Sequence, residues 1–152
     1  RIKIRNEVPT APSSPGSTTN NQVIQAENGQ SNSGAKVQND SQAVEGRALK
    51  LNTDGSKVSY TFTVPSNGSY SIGGTLKSQN YQGAAKVAIF LDGKKITEKF
   101  AASNDYKEID LDDRYFTRGS KHTIAFEYIN DLYGGSASAD RDVWVDTLFL
   151  RK

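Results

Sequence analysis

The chain of 152 residues lacks cysteine and methionine, and it has only one tryptophan and one histidine. Without cysteine there is no disulfide bond, cysteine nucleophile or thiolate metal site. No apolar run approaches the roughly 18 residues of a membrane-spanning helix. The 19 basic and 17 acidic residues are scattered, so the sequence has no concentrated basic face that would bind nucleic acid or a membrane.

Catalytic groups are scarce as well. The one histidine, His122, lies at the start of a predicted strand, which favours a surface position over a general base. The sequence holds no nucleophile elbow, phosphate-binding loop or dinucleotide motif. We therefore expect no enzyme activity. A small glycan-active enzyme that uses a carboxylate pair such as Asp131 and Asp140 is the less favoured alternative.

Proline is concentrated in one place, because three of the four prolines lie within residues 9–21. This polar stretch cannot bury enough apolar surface to offset the entropy lost on ordering, which is typical of an interdomain linker. We predict a terminal segment and Pro/Ser/Thr-rich linker over residues 1–21 and one module over 22–152. Residues 1–8 are either the last strand of a neighbouring domain or a disordered terminus.

The sequence of the module predicts a series of strands connected by turns. Residues 58–64 alternate apolar and polar side chains, residues 65–68 form a turn, and the alternation resumes at residues 70–72, which predicts a hairpin. Residues 87–91 are apolar on both faces, as in a central strand. The Asp92-Gly93 pair that follows predicts a second hairpin.

Further strands are predicted near residues 109–111, 123–129 and 143–150, which are rich in β-branched and aromatic residues. No segment shows a sustained helical period with caps. The fold class is therefore predicted to be all-β, an antiparallel β-sandwich.

The segment 130–142, between the last two predicted strands, is rich in oxygen ligands. It contains Asn130, Asp131, Asp140 and Asp142 around a Gly-Gly pair. Calcium takes about six to eight oxygen ligands from carboxylates, amides and carbonyls. Carboxylates this close repel one another unless a cation lies between them. The segment indicates a calcium site, with a solvated polar loop as the alternative.

Asp146 is surrounded by apolar residues in the last predicted strand. A buried carboxylate without a partner is costly, so it requires an arginine, backbone amides or a metal. Gln25 and Glu27 are predicted to share one face of the first strand, and pairing of the first and last strands would bring Glu27 near Asp146. This set suggests a second calcium, with a salt bridge to Arg47 or Arg141 as the alternative.

Three segments resemble known carbohydrate-binding modules. Residues 24–28, Ile-Gln-Ala-Glu-Asn, resemble the start of families 6, 35 and 36, and residues 58–74 resemble their hydrophobic strand, proline, glycine and tyrosine hairpin. The ending over residues 130–146 is similar to the calcium-dependent xylan-binding families 36 and 60, which have asparagine where Asp142 stands. The resemblance covers roughly residues 22–152 and implies a jelly-roll sandwich.

The resemblance also implies two calcium sites. One is structural, near the first and last strands, and would be held by Gln25, Glu27 and Asp146. The other is solvent-open and binds adjacent sugar hydroxyls directly; its ligands would be Asn130, Asp131, Asp140 and Asp142. The loop over residues 33–46 would complete the sugar site through Gln38, Asn39 and Asp40.

Two aromatic residues near this ending have different expected roles. Tyr133 is a large aromatic in a polar loop, and its face can pack on the apolar face of a sugar ring. It is the best stacking candidate, with folding back onto the sandwich edge as the alternative. Trp144 lies within a strand, which predicts a place in the core.

We therefore expect a non-catalytic, calcium-dependent module that binds xylan or a related β-linked polysaccharide or oligosaccharide. Its expected partner is a covalently linked glycoside hydrolase or lyase domain in a secreted, extracellular bacterial enzyme. We expect a monomer with no nucleic-acid or membrane partner. The alternative function is a structural or adhesion module in which calcium only stabilises the fold.

Overall fold

The computed structural model describes residues 21–152 and arranges them as two antiparallel sheets around one core. Almost all of the predicted segment 1–21 lies outside the described residues. The strands are β1 (Gln22–Gln25), β2 (Gln30–Ser31), β3 (Ala35–Asn39), β4 (Arg47–Leu51), β5 (Lys57–Thr63), β6 (Gly68–Gln79), β7 (Ala85–Leu91), β8 (Lys94–Ala101), β9 (Lys107–Phe116), β10 (Lys121–Tyr128), β11 (Leu132–Ser136) and β12 (Ala139–Arg151). Short 3-10 helices lie at Ala26–Asn28 and Val44–Gly46. The predicted all-β sandwich is confirmed.

Strand β12 organises the seven-stranded sheet, whose order is β3-β4-β12-β6-β9, with β1 and β11 also pairing with β12. The five-stranded sheet has the order β2-β5-β10-β7-β8. Gln22 pairs with Leu150 and Gln25 with Thr147, so the expected pairing of the first and last strands is confirmed. Both proposed metal centres therefore include residues of β12.

The core lies between the two sheets and is built from strands that alternate inward apolar and outward polar residues. Val58, Phe62 and Phe126 are buried from the five-stranded sheet, and Ile72 and Leu76 from the seven-stranded one. Complete burial of each such side chain contributes about 1.5–3 kcal/mol relative to exposure. The outer faces are left to polar and aromatic residues, and the site described below lies there.

The predicted hairpin over residues 58–74 is wrong. Strand β5 pairs with β2 and β10, whereas β6 pairs with β9 and β12, so the turn crosses from one sheet to the other. The Tyr70 hydroxyl donates to the Ser66 carbonyl across this corner at 2.7 Å. Alternation marks both strands but carries no information on their partners. The Asp92-Gly93 hairpin is confirmed, since Leu91 pairs with Lys94 and both turn residues have positive φ.

A register shift in β12 changes which residues face the core. The shift lies between Val145 and Thr147 in the pairing with β6. Strict alternation placed Trp144 with Leu148, but Val145 and Leu148 are both core residues. The predicted core position of Trp144 is wrong: it is half-buried on the outer face of the seven-stranded sheet, because the bulge reverses the alternation after it.

Candidate functional site

Three aspartates meet where β11 and β12 form a hairpin. One carboxylate oxygen of each of Asp131, Asp140 and Asp142 lies within 4.8 Å of the others. Tyr133 is opposite Asp140 and Leu132 opposite Arg141, so Asp131 comes level with Asp142 across the hairpin. The antiparallel register thus brings together carboxylates about ten positions apart in sequence. Calcium is bound by several oxygen ligands at one place, and carboxylates supply such ligands. We call these three residues the acidic cluster.

The acidic cluster holds more negative charge than its own partners offset. Burial, together with the Asp140 carboxyl, raises the pKa of Asp142 to about 6, although the Lys50 ammonium 3.2 Å away opposes this. Burial and the charges of Asp140 and Asp54 raise the pKa of Asp131. The Asp131 Oδ1 atom is buried and has no hydrogen-bond partner among the described residues. A divalent cation bound by oxygen ligands would satisfy this atom and offset the repulsion.

Asn130 has a different position from the one expected of a ligand. Its Oδ1 accepts the amide N–H of Lys86 at 2.7 Å, and its Nδ2 donates to the carbonyl of Ala84 at 2.9 Å. The side chain therefore joins the acidic hairpin to the loop of residues 80–84. The Asn130 side chain thus has a bracing role, and Asp131, Asp140 and Asp142 are the remaining candidate ligands of this site.

Arg141 completes this brace. Its guanidinium donates to the carbonyls of Tyr81 at 3.0 Å, Asn130 at 2.9 Å and Gln82 at 2.6 Å. A planar guanidinium presents several donors in a fixed geometry, so one side chain can orient two loops. The sequence suggested Arg141 only as a partner for Asp146. Its position between Asp140 and Asp142 was the one signal of this role.

Two tyrosines border the acidic cluster. Tyr133 lies on β11 and is 60% exposed, so the alternative that it packs back onto the sandwich is not what the structure shows. Tyr81 lies on the neighbouring loop with its hydroxyl against Gly134, where a Cβ atom would collide with it. Gly134 therefore allows the two loops to approach closely. The exposed Tyr133 ring is available to a ligand beside the cluster.

Gln25, Glu27 and Asp146, the residues predicted for a second centre, are neighbours, since the Gln25 amide lies 3.3 Å from Asp146 Oδ1 and the charge of Glu27 acts on Asp146. Glu27 lies in the 3-10 helix Ala26–Asn28 and not on the first strand. Both carboxylate oxygens of Glu27 are buried without a hydrogen-bond partner among the described residues. Asp146 is 2% exposed, and its Oδ2 accepts the amide N–H of Val44 at 2.9 Å. This pairing satisfies one oxygen of Asp146 and none of Glu27.

The Gln25 amide is compatible with two arrangements at this centre. With nitrogen inward it donates to Asp146 Oδ1 at 3.3 Å and to the Val44 carbonyl at 3.2 Å; with oxygen inward, three oxygen atoms converge. The second arrangement, with the two unpaired Glu27 oxygens, suits a hard cation such as calcium. Burial, together with the charges of Glu27 and Asp40, raises the pKa of Asp146 despite the Val44 amide.

Gln38, Asn39 and Asp40 do not join the acidic cluster. Gln38 accepts the indole N–H of Trp144 at 2.6 Å, and Asn39 ends β3. Burial favours a raised pKa of Asp40, but ion pairing with Lys77 and the 2.7 Å hydrogen bond from Tyr106 outweigh it and lower this pKa. Gln38 therefore contacts Trp144 directly, and Asp40 binds Lys77, whose ammonium lies 5.4 Å from the Trp144 ring centre.

His122 lies at the start of β10, as expected. Its Nδ1 is 2.7 Å from Asp92 Oδ2 and its Nε2 is 3.1 Å from Ser120 Oγ. This trio has the residue types of a hydrolase triad. However, the Ser120 hydroxyl donates to the carbonyl of Thr117 at 2.6 Å, and the imidazole stacks on Phe116. The arrangement is that of a turn brace.

The fold is the one found in carbohydrate-binding modules. A family 36 domain of a multidomain xylanase from the hindgut metagenome of Trinervitermes trinervoides superposes with a TM-score of 0.65 and 19% identity, over 88% of this chain and 98% of that one. A family 35 module from Clostridium thermocellum gives 0.67 and 16%, over 87% and 98%. These likenesses confirm the expected resemblance in fold.

A family 36 module in complex with calcium and xylotriose superposes with a TM-score of 0.59 and 19% identity, over 85% of this chain and 98% of that one. No protein-family model matches the chain, and no curated protein matches its sequence. Within residues 21–152, no helix is long and apolar enough to cross a membrane.

Proposed function

We propose that this chain is a non-catalytic, calcium-dependent polysaccharide-binding module. The observation that carries the proposal is the acidic cluster, in which three carboxylates converge and Asp131 Oδ1 is buried without a partner in the described part of the chain. An exposed aromatic residue, Tyr133, lies directly beside it. Oxygen ligands for a cation and an aromatic face for a sugar ring occur at one place.

In this proposal, Asp131, Asp140 and Asp142 hold the calcium. The bound ion supplies positions at which adjacent sugar hydroxyls complete the coordination shell. Arg141 and Asn130 hold the two loops in place before ligand arrives, which reduces the ordering entropy lost on binding. The Tyr133 ring packs on the apolar face of a sugar. No proton transfer or covalent step is required of any residue.

The second centre is proposed to hold a structural calcium. Gln25, Glu27 and Asp146 contribute side-chain oxygens, and the Val44 carbonyl lies beside them. These residues come from β1, the two 3-10 helices and β12, so an ion there would tie the start of the module to its last strand. Such an ion stabilises the folded state because the unfolded chain binds it poorly.

Xylan or a related β-linked polysaccharide is the proposed ligand. Support comes from the two family 36 neighbours, one from a xylanase and one in complex with xylotriose. The proposed partner is a glycoside hydrolase or lyase domain joined through residues 9–21, in a secreted bacterial protein that acts as a monomer. The Ser120 hydrogen bond described above argues against a serine nucleophile beside His122.

A structural or adhesion module is the second candidate function. The observation that favours it is the second centre, whose Glu27 oxygens are buried and have no hydrogen-bond partner among the described residues. In that case calcium would raise stability without creating a sugar site. The two functions differ at the acidic cluster in calcium: a polysaccharide-binding module binds sugar there, whereas a structural or adhesion module does not.

Retention on insoluble xylan, mannan and galactan, measured with calcium and then with excess chelator, tests the proposal. We expect retention on xylan that disappears with chelator and returns with calcium. Binding to another polysaccharide with the same calcium dependence would correct the ligand and keep the mechanism. Binding that ignores chelator contradicts the role of the acidic cluster. No binding, with a melting temperature that still falls on chelation, supports the structural function.

A further inference from the structure

A groove of about 400 Å³ lies on the outer face of the seven-stranded sheet. Its lining residues are Lys77, Ser78, Gln79, Asn80, Asn104 and Trp144. Three carboxamides, one hydroxyl, one ammonium and one indole make it polar, with a single aromatic surface and no carboxylate in the lining. This composition suits a neutral ligand rich in hydroxyl groups, which needs both donors and acceptors beside an aromatic ring.

The groove is continuous with the acidic cluster. Gln79 lines the groove and pairs with Asp142 across β6 and β12, and its Nε2 donates to the carbonyls of Ala137 at 2.6 Å and Asp140 at 2.8 Å. Trp144 lies two residues beyond Asp142 on the same strand and face, about 7 Å away at roughly 3.3 Å per residue. A ligand held at the cluster therefore extends over Trp144 without leaving the surface.

Trp144 is held in place before any ligand binds. Its indole N–H donates to Gln38 Oε1, and the ammonium groups of Lys50 and Lys77 lie 5.3 and 5.4 Å from its ring centre. Lys77 is itself fixed by its ion pair with Asp40. A ring with this little freedom loses little entropy when a sugar packs against it.

The opposite wall of the groove is pinned to the sheet. Ser78 donates its amide N–H to the Ser103 carbonyl at 2.8 Å, and the Asn80 Nδ2 donates to the Ala102 carbonyl at 3.0 Å. These bonds hold the loop after β8 against the end of β6, with the exposed Asn104 at its tip. This side of the groove is therefore fixed by hydrogen bonds to the sheet and does not have to form when a ligand binds.

We infer that this groove is a second sugar subsite, which takes the ring next to the one bound at the acidic cluster, with Trp144 and Asn104 as its binding residues. The inference rests on the proposed function, because it requires a sugar at the cluster. It adds that the module binds a run of several rings along one face of β12. The sequence alone placed Trp144 in the core and so did not predict this site.

Isothermal titration with xylose, xylobiose, xylotriose and xylotetraose, all in calcium, tests the subsite. The wild type should bind the longer ligands more tightly than xylose. Trp144→Ala should lower affinity for xylotriose and xylotetraose by about three- to tenfold, the value of one aromatic contact, and leave xylose unchanged. Asn104→Ala, at an exposed loop tip, should give a smaller loss with the same dependence on length.

Tyr115→Ala provides the matched control. Tyr115 is an exposed aromatic of the same sheet, opposite Ser69 near the far end of β6, and its removal should change no affinity. Identical length dependence in the wild type and Trp144→Ala would overturn the subsite and leave the proposed function standing. If Trp144→Ala also lowers the melting temperature, Asn104→Ala at the exposed loop tip decides, and unchanged affinity of Asn104→Ala for xylotetraose would overturn the subsite. If the wild type binds none of the four sugars, the subsite for xylose rings is overturned, while the calcium-dependent function of the acidic cluster is decided separately by the polysaccharide panel.

Discussion

Among the described residues, the buried side-chain oxygens that have no partner belong to Asp131 and Glu27, one in each proposed metal centre. A buried polar atom without a hydrogen bond costs about 1–3 kcal/mol, and native proteins contain few of them. Their location is therefore informative at the level of single residues. The Asp131 carboxylate lies beside the exposed Tyr133, whereas the Glu27 carboxylate is enclosed between two strands and two short helices.

Asp131→Asn tests the first of these atoms. The substitution keeps the side-chain volume and removes one charge from the acidic cluster, so calcium-dependent sugar binding should fall at least about tenfold, the loss of one charged ligand. The melting temperature in calcium-free buffer should stay the same or rise, because like charges no longer repel. Titration calorimetry and thermal unfolding measure the two effects. Asp105→Asn, at an exposed aspartate, is the control, and equal losses of binding and stability would contradict the assignment.

Asp146→Asn should show the opposite pattern. Loss of the structural ion removes about 2–3 kcal/mol of linked stability, which lowers the melting temperature in calcium by about 5–10 °C for a domain of this size. Sugar affinity should remain within about twofold, because the acidic cluster is untouched. Differential scanning calorimetry with and without calcium gives the result. An Asp146→Asn variant with the melting temperature of the wild type in calcium would contradict a structural calcium at the second centre.

At the scale of elements, the β11–β12 hairpin and the loop of residues 80–84 form one unit because Arg141 and Asn130 bond both. Loops normally have higher mobility than the strands that they connect, and a metal site on a hairpin requires that the hairpin keep a fixed position against its neighbouring loop. The close contact of Tyr81 with Gly134 serves the same purpose. Ligand geometry at the cluster therefore depends on groups that touch neither metal nor sugar.

Arg141→Lys measures this dependence. Lysine keeps the charge but cannot donate to three carbonyls in one plane, so calcium affinity should fall about tenfold, as for loss of an outer support of a metal site. The change in melting temperature in calcium-free buffer should be small. Arg118→Lys, on an exposed turn, serves as control. An Arg141→Lys protein with wild-type calcium affinity would show that the loops hold their position without the guanidinium.

At the scale of the whole molecule, the distribution of acidic groups predicts a stability that depends on calcium and pH together. Burial raises the pKa of Asp142 to about 6 from 3.8, and the pKa values of Asp131 and Asp146 are also raised. In the calcium-free molecule these groups hold protons more tightly when folded than when unfolded. The contribution of Asp142 to stability is thus present at low pH and is lost as the pH rises through about 6, and those of Asp131 and Asp146 are lost as the pH rises through their own raised pKa values.

The calcium-free protein should therefore melt at a higher temperature at pH 5 than at pH 7.5. Bound calcium has the opposite pH dependence, because it requires ionised carboxylates and competes with protons. The calcium affinity should therefore fall as the pH falls from 7.5 to 5. Thermal unfolding of decalcified protein in metal-free buffer, with and without added calcium, measures both curves. Asp142→Asn should flatten the calcium-free curve. A calcium-free melting temperature that falls from pH 7.5 to pH 5 would contradict the raised pKa values.

Features that depend on near neighbours in the chain were predictable from the amino-acid sequence. The period of two in residues 58–64, the Asp92-Gly93 turn and the aspartates at 131, 140 and 142 each lie within a short stretch, where backbone geometry and residue chemistry act directly. For this reason the fold class and the acidic cluster were predictable.

Features that depend on distant partners required knowledge of the folded molecule. The pairing of β5 with β10, the bulge in the pairing of β12 with β6 and the contacts of Arg141 with the carbonyls of Tyr81 and Gln82 all join residues far apart in sequence. Pairing and register follow from the packing of both sheets on one core, because a shift of one residue reverses every side chain. A local sequence pattern predicts which residues share a face of a strand, but it does not predict which strands pair with that strand.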